Sequence, residues 1–127
     1  MTVQYNTDPN IHGINGFGNH FCDLVFSAEL KAGADTTLAV PASAAMGLPA
    51  ATQFNKWIAI FSYARATPAD AVFVALNATA AVPAGATFAQ TTSEIEPTGK
   101  YVKTGDTIHF ICAGVADVTV AFYAYLD

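Results

Sequence analysis

KYVKTGDTIHFICA (residues 100–113) followed by DVTVAFYAYLD (residues 117–127) decides the fold. The first reads as a strand, a turn at Thr104-Gly105-Asp106, and a second strand with Ile108, Phe110 and Cys112 on one face. In the second, Val118, Val120, Phe122, Ala124 and Leu126 alternate with Thr119, Ala121, Tyr123 and Tyr125. Neighbouring side chains of a strand point to opposite faces, so a sustained alternation marks a sheet with one buried side.

Working outward, NKWIAIFSYA (55–64) is rich in β-branched and aromatic residues and apolar on both faces. Such two-sidedness suggests burial between layers. Trp57, Phe61 and Tyr63 share one face, and Ile58 and Ile60 the other. A sandwich strand has one inward face, so something else must cover the second row. A small core beneath the 41–53 loop, packing of subunits, and a sugar or ligand platform all remain open. FCDLVFSAEL (21–30), TTLAV (36–40) and AVFVALNA (71–78) add strands, with weaker ones around Phe88 and Ile95. KAGAD (31–35), RATPAD (65–70) and the Pro-Ala pairs at 41–42, 49–50, 68–69 and 83–84 punctuate them, since proline cannot donate to a ladder. The expected fold is all-β: a single β-sandwich or jelly-roll-like domain of about eight short antiparallel strands. It covers residues 17–127 and follows an extended, Asn- and Gly-rich arm over 1–16 that carries Tyr5, Ile11 and Ile14.

Hydrophobic residues make up 53% and charged residues 12% of the 127-residue chain, against about 45–50% and about 25% in average domains. That composition argues against disorder. It also leaves few charges to wet the exterior, so part of the exterior is expected to be an interface. The net charge is −5, and the five cations are scattered. Nucleic-acid binding needs a basic stripe to displace counterions, and there is none. No apolar run approaches the roughly 20 residues of a membrane-spanning helix. MTVQYNTDPNIHG has neither the basic start nor the apolar stretch of a secretory signal, which favours synthesis in a cytosol. There Cys22 and Cys112 would stay reduced, whereas in an oxidising compartment they could close one long loop.

Candidate chemistry is thin. His20, Cys22, His109 and Cys112 could suggest zinc. His109 and Cys112, three apart, fall on opposite strand faces and leave at most three convergent ligands. A Cys–His nucleophile needs an exposed, electropositive thiol, whereas both cysteines alternate in phase with Leu and Phe. Glu94 and Glu96 imitate a glycosidase pair but read better as edge charges that deter aggregation. Asp35, Asp106 and Asp117 lack EF-hand spacing. GINGFG fits no phosphate-binding pattern, and Asn77-Ala78-Thr79 is a sequon that matters only for a secreted eukaryotic chain. No catalytic residue, metal or other cofactor is expected.

The arm NTDPNIHGINGFGNH, the Ala/Thr/Val-rich, Lys-poor strands and the closing run KTGDTIHFICAGVADVTVAFYAYLD together carry a resemblance. The chain resembles the small β-sandwich virion proteins of tailed bacteriophages, the decoration, cement or head-fibre type. The closing strands are also similar to trimeric jelly-roll modules of the tumour-necrosis-factor and complement-globular type. The phage resemblance implies a non-enzymatic structural protein of the virion, assembled in the host cytoplasm. It would decorate or stabilise the capsid as a homo-oligomer, often a trimer, with the major capsid protein or another virion protein as partner. It implies no nucleic-acid or membrane partner. The interface candidates are Tyr5, Ile11, Ile14, Trp57, Phe61, Tyr63, Tyr123 and Tyr125. The alternative is a carbohydrate- or ligand-binding β-sandwich module.

Overall fold

The computed structural model describes residues 22–42, 55–84, 88 and 90–125. Eight strands run in chain order: β1 (Leu24–Leu30), β2 (Thr36–Ala39), β3 (Lys56–Arg65), β4 (Val72–Leu76), β5 (Glu94–Ile95), β6 (Gly99–Lys103), β7 (Thr107–Cys112) and β8 (Ala116–Ala124). The first strand pairs with the last, β2 with β7, β3 with β6 and β4 with β5, all antiparallel. The chain is thus one long ribbon folded back at the β4–β5 end. Rolling the ribbon brings β8 against β3 and β7 against β4. Two four-stranded sheets result: a first sheet ordered β1-β8-β3-β6 and a second ordered β2-β7-β4-β5. This is the double-sheet architecture of a jelly roll, the fold class expected from the alternation. Among the described residues no helix is long and apolar enough to cross a membrane.

Alternation places the core where the sequence put it. Ile108, Phe110 and Cys112 from the second sheet meet Val118, Val120 and Phe122 from the first, and all six are buried. Trp57 and Phe122 cross edge to face at 6.1 Å, as do Phe61 and Phe110 at 6.1 Å, the arrangement that aromatic quadrupoles prefer. At the β6–β7 turn, Gly105 adopts φ +104°, a conformation that side chains disfavour. Asp106 closes the turn by donating its N–H to the Lys103 carbonyl and accepting the Lys103 N–H at Oδ2. At the β1–β2 turn, within KAGAD, Gly33 takes φ +70°.

The sequence over-reads one element. Phe88, expected within a weak strand, lies outside any strand and is fully exposed. The strand around Ile95 is only two residues long. With few residues in the ladder and Pro97 close behind, little pairing is available there. Most of the 41–53 loop and all of the 1–16 arm, with Tyr5, Ile11 and Ile14, lie outside the described residues.

Candidate functional site

Most of the described residues that could carry chemistry are engaged in holding the fold, and His20 lies outside the described residues. His109 Nδ1 lies 2.9 Å from Asp35 Oδ2, and Asp35 Oδ1 accepts the Ala80 N–H. These bonds fix the segment after β4 against the outer face of the second sheet, where Ala75 and Ala80 are buried. Cys112 is fully buried and donates its thiol to the Asp70 carbonyl at 3.3 Å; Cys22 is half-buried and both thiols are free. Opposite parity keeps His109 and Cys112 apart, and no group of three metal-ligating side chains forms among the described residues. Asp106 also accepts from the Asn77 amide.

Glu94 and Glu96 diverge despite their spacing. Glu94 meets Lys100 at 2.7 Å on the exposed edge. Glu96 has positive φ, takes both Nε and Nη2 of Arg65 at 2.7 Å, and accepts the Val72 N–H. The hydrogen bonds from Arg65 hold the Glu96 carboxyl below its usual range, against a smaller opposing effect of burial. Tyr63 donates to the Pro97 carbonyl at 2.7 Å. Burial, then the charges of Glu96 and Glu94, push its phenol above the ordinary range.

The surface that stands out is the outer face of the first sheet. Its register can be followed across all four strands as parallel rows. One apolar row runs Val25, Ala121, Ile60, Gly99, and an aromatic row beside it runs Tyr123, Ile58, Tyr101. Val25 is 56% exposed, Ile60 36% and Tyr101 72%. A Cβ at position 99 would meet Ile60 Cδ1 at 3.1 Å, so the glycine leaves the isoleucine uncrowded. Tyr125 crosses Tyr101 edge to face at 5.6 Å and closes one end. Towards the other end, Ser27 and Thr119 share a hydrogen bond of 2.9 Å, level with Ser62. Solvent-facing sheet surfaces are ordinarily polar. This one carries two apolar rows at its centre.

The interface candidates therefore divide. Trp57 has no exposed surface and Phe61 very little; both face inward, as a correction to their expected place at an interface. The Trp57 indole donates to Thr104 Oγ1 at 3.2 Å, and Thr104 donates onward to the Pro41 carbonyl at 2.8 Å. Tyr63, on the same inward row, packs against the core. Tyr123 and Tyr125 lie on the outer face, half-buried by neighbours. Val25, Ile58, Ile60 and Tyr101 belong to that face: Ile58 and Ile60 are the second apolar row of their strand, and Val25 and Tyr101 join them only through pairing. Their signal is cross-strand register, which one strand read alone does not carry. The chain matches no family model, no curated protein and no solved structure.

Proposed function

We propose that this chain is a non-enzymatic structural subunit of a virion, a capsid decoration or stabilisation protein that associates through the outer face of its first sheet. The observation that carries the reading is the pair of outward rows Val25–Ala121–Ile60 and Tyr123–Ile58–Tyr101, of which Val25, Ile60 and Tyr101 are exposed. Contiguous apolar surface of that kind on a domain with so few charges marks an interaction site. The jelly roll supports the reading as an architecture used by capsid proteins, and the phage resemblance supplies the setting. Fold alone does not fix function, because lectins share the architecture. A sugar platform built on the tryptophan, however, has no exposed Trp57 to use.

The test is composition of purified virions from the source that encodes the chain. Mass spectrometry is expected to find it at a fixed ratio to the major capsid protein, and limited proteolysis to cut residues 1–16 more slowly on particles than in the isolated subunit. Absence from the particles overturns the proposal.

A further inference from the structure

We infer that the outer face of the first sheet pairs with the same face of a second copy of this chain, about a two-fold axis lying across the strands. The inference deepens the proposed assembly role by naming the occupant of that face, and it shares only the face with that reading.

It starts from two cross-strand pairs of like charge. Glu29 stands directly opposite Asp117 on β1 and β8, and Lys56 directly opposite Lys103 on β3 and β6. Like charges in that position repel and weaken a sheet. Both pairs project from the outer face by alternation, flanked by buried Leu30, Ala116, Trp57 and Val102. They occupy diagonal corners. The acids lie on one half of the sheet at one end, and the lysines on the other half at the opposite end. Tyr125 is level with Lys56 through its N–H to the Lys56 carbonyl. Eight residue steps, from Asp117 to Tyr125, therefore separate the corners, roughly 27 Å along the strands. Between them lie the hydroxyl, apolar and aromatic rows.

An interface between identical copies around a two-fold must be self-complementary. A two-fold lying in the plane of the face, perpendicular to the diagonal, exchanges the corners and sets each acid pair on the lysine pair of the other copy. The same rotation stacks the central Val25–Ala121–Ile60 row on its own image. An axis running along the diagonal would instead bring acid onto acid and lysine onto lysine, which costs too much. A three-fold would need two different matching patches. The neighbouring charges do not cancel this pattern. Lys31 contacts Glu29 at 3.1 Å, but both side chains are largely exposed, where such a pair contributes little. Lys56 is engaged within its own chain, so Lys103 and Asp117, both exposed, carry the complementarity. Four strands at about 4.8 Å spacing give on the order of 500 Å² of face per copy, the low end of specific interfaces. The dimer is accordingly weak and salt-sensitive.

Sedimentation equilibrium on the full chain tests this, from micromolar to near-millimolar concentration and at low and high salt. The expected result is a dimer that loosens as salt rises. Lys103→Glu and Asp117→Lys should each weaken it by about tenfold or more, and the double charge swap should restore it. Circular dichroism checks that these surface variants stay folded. A monomer throughout, a trimer, or a double variant as weak as the single ones overturns the inference. A monomer still found on virions removes the two-fold pairing and leaves the proposed function standing. A dimer missing from virions does the reverse.

Discussion

Trp57 shows how a single side chain redirects the functional reading. Aromatic residues with one polar atom serve interfaces well, but this indole is enclosed and its N–H is satisfied by Thr104. Its fluorescence should be blue-shifted, slow to respond to acrylamide and indifferent to added sugars; red-shifted, freely quenched emission would place it on the surface. Thr104→Val strands the indole N–H and should cost about 1–3 kcal/mol in urea unfolding. Glu96 supplies a pH test. Its folded carboxyl sits below the ordinary value because Arg65 bonds the charged form. That contribution is complete above the unfolded carboxyl pKa, about 4.3, and is lost as pH falls through the lower folded value. Glu96→Gln should therefore flatten the acid limb of stability against pH. An unchanged limb would mean that other carboxylates set it. Neither partnership was legible beforehand, since Thr104 lies 47 residues from Trp57 and Glu96 lies 31 from Arg65.

Elements were legible in proportion to the regularity of their pattern. The turn at 104–106 was readable because Gly-Asp supplies both the unusual φ and a side-chain acceptor. Asp106→Ala removes the acceptor of both the Lys103 N–H and the Asn77 amide. It should lower stability by about 1–3 kcal/mol, read from the urea midpoint; a loss well under that range would show water replacing the carboxylate. The strand 56–65 was legible as a strand but not in its facing. Both of its rows are apolar, and only pairing with Val102 and Ala124 decides that Trp57 points inward. The cysteines test β7 in the same way. Cys22 should react with a thiol reagent in the native state, and Cys112 only at the rate of unfolding; equal rates would mean that β7 is not packed as described.

At the scale of the molecule, the ribbon topology assembles the surface. Rolling β1 beside β8 and β8 beside β3 lines up Val25, Ala121 and Ile60, which come from three distant parts of the chain. The low charge content announces that such a face should exist, and the register says where it lies. The second sheet shows the contrast, since its outer face is partly closed by its own chain through Asp35, His109 and Ala80. Hydroxyl-radical footprinting of the isolated chain against the associated protein addresses the exposed face most directly. Oxidation of Tyr101, Ile60 and Val25 should fall severalfold on association, while Ile95, exposed on the other sheet, stays unchanged as the internal reference. Equal oxidation of all four in both states would contradict an assembly role for this face.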